Sequence, residues 1–311
     1  MEKDYRAPVS KELFKQEWLS LFKKENSLEK ITTIKNCSLK HVKNIYSYYK
    51  DEIKNKPRIL LFDIETLPLH VRVWGLHKQR IPHTNIIHDW VMLSWSGKWL
   101  MEAEMYSDIL TSKEVLKRND KRITKSMWKM IDEANIIIAH NLFRFDNRRI
   151  NTKFFLYGLN PPSPYQGIDT LKQYQKNFAL SSYKLDYIGE LIRNKGKTPT
   201  DYSLWIACEE GKQSALDEML QYNKDDVTLL EEVYLKVRPW IKSHPNTGLY
   251  MNLEKPVCTN CGSTELKECG IYVTPANRYV AMRCVCGAIG RLKASAMSKE
   301  ESKNLIIRVA R

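Results

Sequence analysis

The chain has 311 residues, of which 43% are hydrophobic and 28% charged, with only 12 glycines and 12 prolines. That composition belongs to globular domains, about two or three for this length, and it excludes collagen-like and low-complexity architectures. Fifty Lys and Arg against 36 Asp and Glu leave a net charge of +14, which favours a polyanionic partner, nucleic acid first.

No apolar run approaches the ~18 residues of a membrane helix, and the opening MEKDYRAPVS lacks the apolar core of a secretory signal. The expectation is a cytoplasmic protein with no membrane partner. Three pieces follow from composition. Residues 1–55 are Lys-rich, glycine-free and helical in pattern; 56–248 alternate apolar strand-like runs with amphipathic stretches; 249–311 shift to Cys, Gly and short β-type runs. Lys56-Pro57 and Pro245 with Gly248 punctuate the two boundaries.

In the first piece, Phe14, Trp18, Leu21 and Phe22 share one face of a helix over 12–24. The stretch ENSLEKITTIKNCSLKHVKNIYSYYK resembles a helix-turn-helix. Ile31 and Thr32 lie in its first helix, and Asn36 tolerates the turn. Cys37 follows, Ser38 starts the second helix, and Val42 and Ile45 face inward. Lys40, His41, Lys43 and Asn44 would then face DNA. A plain helical cap or a protein-docking arm fits the same pattern.

The middle piece predicts strands over 58–64, 90–99, 104–109 and 135–139, and helices over 125–134, 146–157, 184–192 and 214–237. The mixture indicates an α/β sheet with helices on its faces. Its acidic residues carry the chemistry. Asp63 and Glu65, in LLFDIET, lie two apart on a strand and so share a face. Neighbouring carboxylates repel, and a hard divalent cation relieves them, although the pair taken alone reads more simply as a solvated strand end. Asp146, in IIIAHNLFRFDNRR, follows a buried strand at a helix start, where an N-cap is the simpler role. Tyr222 and Asp226 are four apart on the last helix. Asp225 falls about 100° around that helix and is left to solvent.

Taken as a set, D-x-E on a first strand, N-x-x-x-F-D after a later strand and Y-x-x-x-D on a final helix resemble the DEDD superfamily of 3′–5′ exonucleases. The tyrosine points to the branch that includes polymerase proofreading domains and RNase D-like enzymes. The resemblance covers about residues 57–240, and GIDTLKQYQKNF, YKLDYIGELI and LLEEVYLKVRPW are similar to segments of phage-encoded members. It implies an RNase H-like fold, a mixed five-stranded sheet flanked by helices. It also implies that Asp63, Glu65, Asp146 and Asp226 hold two Mg²⁺ or Mn²⁺ ions and that Tyr222 orients the attacking water. Asn141 and Phe145 would line the terminal nucleotide site, and Thr66 and Leu67 would contact the 3′-terminal sugar and base. His140 occupies no position at which that superfamily uses histidine, and it is read as structural.

In the third piece, Cys258-x-x-Cys261 precedes Cys284-x-Cys286, and each half ends in Cys-Gly. With a β-hairpin pattern between them, the four cysteines resemble a zinc ribbon holding one structural Zn²⁺. Five of the seven cysteines fall between Cys258 and Cys286, which suits a metal in a reducing compartment better than a disulfide framework. Cys269 is a spare; Cys37 and Cys208 are isolated. The leading function is therefore hydrolysis at DNA 3′ ends, single-stranded ends preferred. An exoribonuclease on the same fold and a non-catalytic DNA-binding protein stand as alternatives, and no protein partner is defined. Both flanking pieces are net positive, which would let them supply affinity while the middle supplies chemistry.

Overall fold

The computed structural model describes residues 17–18, 21, 28–45, 57–75, 77–78, 80–193, 201–251 and 253–307. The chain divides into two compact units, one of Arg58–Pro245 and one joining Met1–Pro57 with Asn246–Arg311. In the described N-terminal residues, α1 (Leu28–Lys35) turns into a second helical stretch over 39–45. Asn36 adopts a left-handed backbone at that turn (φ 47°), and the Ser38 hydroxyl accepts the His41 amide at 3.3 Å. Trp18, Ile31 and Val42 form one buried cluster, while Lys40, His41, Lys43 and Asn44 are exposed. Phe14 and Phe22 of the expected first helix lie outside the described residues.

The Arg58–Pro245 unit runs β1 (Ile59–Leu67), β2 (His70–Val71), β3 (Ile86–His88), β4 (Val91–Trp99), β5 (Met105–Ile109), α2 (Ser112–Leu116), α3 (Lys121–Asp132), β6 (Ile136–Ala139), α4 (Asp146–Leu156), β7 (Gln166–Asp169), α5 (Thr170–Asn177), α6 (Leu185–Arg193), α7 (Ser203–Glu209) and α8 (Gln213–Val237). Five strands form one sheet in the order β5-β4-β1-β6-β7. β1 is antiparallel to β4 and parallel to β6, and β7 is parallel to β6. This is the mixed sheet flanked by helices of an RNase H-like fold.

Alternation along β1 explains its two-sided core. Leu60, Phe62 and Ile64 join the cluster that holds Ile123, Met127 and Ile131 of α3. Ile59 and Leu61 face the other side, with Val227, Leu230 and Val233 of α8. Asp63 and Glu65 continue that second face. α6 packs closely on α8, where a Cβ on Gly189 would meet Leu229 at 2.7 Å. β7 and α5 are absent from the sequence expectation. A four-residue strand is too short to show a period, and α5 starts on Asp169, whose carboxylate accepts the Lys172 amide. α3 begins earlier than its apolar pattern because its first turn, KRITK, is mostly polar.

The third strand group, β8 (Leu266–Thr274), β9 (Asn277–Cys284) and β10 (Ile289–Ser295), is an antiparallel sheet in the order β10-β9-β8, followed by α9 (Lys299–Lys303). Among the described residues, no helix is long and apolar enough to cross a membrane.

One buried charge network joins α3, α4 and β4. The Asp120 carboxylate is fully buried, accepts the Met92 amide at 2.7 Å and the Tyr157 hydroxyl, and pairs with Lys153 at 2.8 Å. Lys153 also donates to the Trp90 carbonyl at 3.0 Å. Asp120→Ala strands the buried ammonium and two donors, so the expected loss is about 3–5 kcal/mol of unfolding free energy. Urea unfolding of the two proteins reads that difference directly.

Candidate metal centres

Three carboxylates meet at one end of the sheet. One oxygen from each of Asp63, Glu65 and Asp226 lies within 4.8 Å of the others. Strand alternation aims Asp63 and Glu65 to one side, and α8 crosses that side carrying Asp226. Asn223, one helical turn before Asp226, donates to Asp63 Oδ2 at 2.7 Å and accepts from the Ser94 hydroxyl at 3.3 Å. Ser94 and Asn223 are both fully buried, so this relay fixes the Asp63 rotamer. Neither residue was singled out from sequence; the i, i+3 spacing of Asn223 and Asp226 on α8 is the signal that marks it.

Asp146 is the first residue of α4, and Phe145, not Asp146, is the residue before the helix. The Asp146 side chain does not cap the helix: both its oxygens are buried without a hydrogen-bond partner. It stands outside the group of three within 4.8 Å. Burial, then the Asp63 charge, pushes its carboxyl well above the usual range.

Tyr222 stands one helical turn before Asp226 and packs edge-on against Trp205, with ring centres 6.1 Å apart. Burial and the charges of Asp226 and Glu65 raise its pKa, so the phenol stays protonated, donates to Asp226 and keeps its oxygen as an acceptor. With Asn141, Tyr222 and the three carboxylates line a cleft of about 510 Å³ whose other wall is Tyr183–Asp186.

The turn after β6 is held by Asp169. Its carboxylate accepts the amides of Asn141 at 3.1 Å, Phe143 at 3.4 Å and Lys172 at 3.2 Å. Asn141 is left-handed (φ 76°), and its side-chain oxygen is buried without a partner beside the cleft. Asp169 was also missed from sequence, because the strand that delivers it was missed. His140 Nε2 meets the Tyr183 carbonyl at 2.8 Å and so carries the proton, leaving Nδ1 to accept from the Thr170 hydroxyl at 2.9 Å. Burial lowers its pKa, and the neutral ring braces the cleft wall.

The residues expected at the terminal nucleotide divide. Asn141 lines the cleft. Phe145 is half-buried against the core, with the Arg149 guanidinium 5.2 Å from its ring centre. Thr66 is half-buried, and Leu67 is fully buried in the core. The Leu67 expectation is corrected by a β-bulge: the register against β4 slips between Glu65 and Thr66. Plain alternation would put Leu67 on the carboxylate face, and the bulge turns it into the opposite core cluster. Asp225 accepts from Gln221 on the exposed side of α8.

The second centre is sulfur. Sγ atoms of Cys258, Cys261, Cys284 and Cys286 all lie within 4.8 Å of one another, with Cys258–Cys286 at 3.7 Å and Cys261–Cys284 at 3.5 Å. Those spacings approach the edge of a tetrahedron with metal–sulfur bonds of about 2.3 Å, about 3.8 Å. Gly262 (φ 72°) and Gly287 (φ 90°) supply the left-handed turns, their amides donating to the Cys258 and Cys284 carbonyls at 2.8 Å each. A hydrogen bond from Cys261 pulls the Cys258 thiol down to about 5, and burial pushes Cys284 up to about 11. Cys269 is exposed and outside the cluster. Both centres offer donor sets that could hold metal ions.

Residues 105–238 match the family model described as RNase_H superfamily. The match spans β5 to α8 and contains Asp146, Tyr222 and Asp226, but not β1. No curated protein matches the chain at a significant level. With the mixed sheet, the family match points to nuclease-type chemistry on a nucleic-acid substrate.

The Asp146 carboxyl gives a pH signature in metal-free protein. Its pKa in the fold lies above the 3.8 of an unperturbed aspartate, so the folded state binds this proton more tightly than the unfolded state. The residue therefore costs stability at neutral pH, and the cost fades as pH falls toward 4. In chelator, Asp146→Asn should melt higher than the parent at neutral pH, by about 2–4 °C per kcal/mol recovered. The gap should close near pH ~4, and melting curves at the two pH values measure it.

Proposed function

We propose that this protein is a metal-dependent 3′–5′ exonuclease that shortens DNA from its 3′ ends, single-stranded ends preferred. The observation that carries the reading is the gathering of Asp63, Glu65 and Asp226 within 4.8 Å, with Asp146 buried and unpartnered beside Asp63. Like charges at that distance repel, and a bound cation relieves the repulsion. Hard carboxylate oxygens suit Mg²⁺ or Mn²⁺. Asp63, Glu65, Asp146 and Asp226 would hold two such ions, which when bound activate water and neutralise charge at the scissile phosphate. The superfamily to which the three motifs are similar supports the 3′–5′ direction.

The chain's own groups supply the rest. Asn223 holds Asp63 in one orientation. Tyr222, protonated and donating its hydroxyl to Asp226, leaves its phenolic oxygen at the cleft as an acceptor that can position a water. Asn141 offers an unpaired amide oxygen to the terminal nucleotide. A cleft of about 510 Å³ admits strand-end nucleotides more readily than a duplex. The thiolate cluster fits Zn²⁺, closed by four protein ligands and so structural. The exposed basic face of the N-terminal helical stretch is proposed to contact DNA.

Digestion of 5′-labelled single-stranded DNA with Mg²⁺ or Mn²⁺ tests this reading. The expected product is a ladder shortening from the 3′ end, absent in chelator and absent for Asp226→Ala. Tyr222→Phe should retain cleavage slowed about 100-fold, the scale of a misplaced reactant. Undiminished cleavage by Asp226→Ala, or a ladder with RNA but not DNA, would overturn the assignment.

Elemental analysis should find about one zinc per chain. Cys284→Ser should lose it and Cys269→Ser should keep it. Stripping the metal should unfold the β8–β10 sheet, seen as lost strand signal in circular dichroism.

A further inference from the structure

β1 and β4 are antiparallel neighbours, a pair that a turn of two to five residues would join. The chain instead spends 68–90, 23 residues between Leu67 and Val91, on the connection. Loops of that length inside compact domains usually carry function. This one is built as an arm. Its stem is the β2–β3 ribbon, in which His70 pairs with His88 and Val71 with Ile86. The Arg72 amide and the Asn85 side chain extend it through bonds of 3.0 and 3.1 Å. Its base is clamped by Arg118, which donates to the Pro68 carbonyl at 2.6 Å and the Asp89 carbonyl at 3.0 Å. Glu209 pairs with that same guanidinium and with His70 Nε2 at 2.6 Å.

The outer part of the arm has an unusual surface. Trp74 is 99% exposed, and Val73 before it and Ile81 further along the arm are also exposed. Arg72, Lys78 and Arg80 are exposed too, and no acidic residue occurs between Glu65 and Asp89. An indole in water gains by covering its face, and an aromatic among fixed positive charges suits a stacked base with its phosphates. The arm leaves the sheet at the carboxyl end of β1. That is the end carrying Asp63 and Glu65, where parallel β6 and β7 also deliver Asn141 and Asp169. Such an acidic cleft repels a phosphate chain, so retention of the strand must come from cationic surface nearby.

We infer that the 68–90 arm is a binding element for single-stranded DNA, with Trp74 stacking on a base and Arg72, Lys78 and Arg80 contacting phosphates. The inference rests on the nuclease reading for the identity of the strand, and its test is independent of cleavage. The probe is fluorescently labelled oligothymidylate, titrated against full-length protein in the Asp226→Ala background so that the strand is not consumed. Trp74→Ala should weaken binding about 5- to 150-fold, the effect of one lost base stack, with an unchanged melting midpoint and salt slope. Trp74→Phe should restore most of the affinity. Replacing Arg72, Lys78 and Arg80 together by Gln should flatten the slope of log K against log salt by about 2, at ~0.7 per lost contact. An affinity for Trp74→Ala within twofold of its parent overturns the proposal and makes the arm a docking element for another class of partner. Hydrolysis of thymidine 5′-(p-nitrophenyl phosphate) by the unsubstituted protein, run in parallel, judges the nuclease reading alone.

Discussion

Repulsion among carboxylates is the constraint around which the Arg58–Pro245 unit is organised. Asp63, Glu65 and Asp226 are brought together by a strand and a helix whose other side chains form a continuous core. Apolar burial of Ile59, Leu61, Val227 and Leu230 holds the two elements in contact. At roughly 1.5–3 kcal/mol per fully buried aliphatic side chain, that packing can oppose the local repulsion. The neutral groups nearby share this work: Asn223 gives Asp63 a donor, and the protonated Tyr222 gives Asp226 one. Asp146 is fully buried beside them, and that burial together with the Asp63 charge disfavours its ionised form.

A second carboxylate, Asp169, works in the opposite sense. It is buried yet well supplied, with three backbone amides converging on it. Those amides belong to the turn after β6 and to the first turn of α5, so one side chain ties two chain segments to the end of the sheet. This fixes Asn141 in a left-handed conformation that asparagine tolerates better than most residues. The polar floor of the cleft thus has the amide-bound side chain of Asp169 as its keystone.

Much of this was legible in the sequence, for identifiable reasons. Long elements with strong periodicity, such as α8 and β4, announce themselves, and the spacings of Asp63 to Glu65 and Tyr222 to Asp226 translate directly into shared faces. The four clustered cysteines were legible because two Cys-Gly halves leave few other folds. What was not legible depended on pairings distant in sequence. Ser94 and Asp169 acquire their roles only when β4 and β7 reach β1 and β6, and no local pattern encodes that meeting; Asn223 carried only the i, i+3 spacing to Asp226 as a hint. The burial of Leu67 was missed because a bulge breaks the alternation on which the reading relied. The arm of 68–90 offers neither period, and its short ribbon emerges only from pairing across the stem.

The bulge in β1 has a consequence for how the carboxylates keep their place. A regular strand can slide by two residues against its neighbours and still present the same face. β1 cannot, because on one side of the irregularity its odd-numbered residues point toward α8, and just beyond it Leu67 is seated in the opposite core. A two-residue slip one way would put Leu67 in the cleft, and the other way would carry Glu65 into apolar packing, so the strand has a single admissible setting. Leu67 thereby acts as an index pin. Buried in the core, it sets which two residues of LLFDIET meet Asp226.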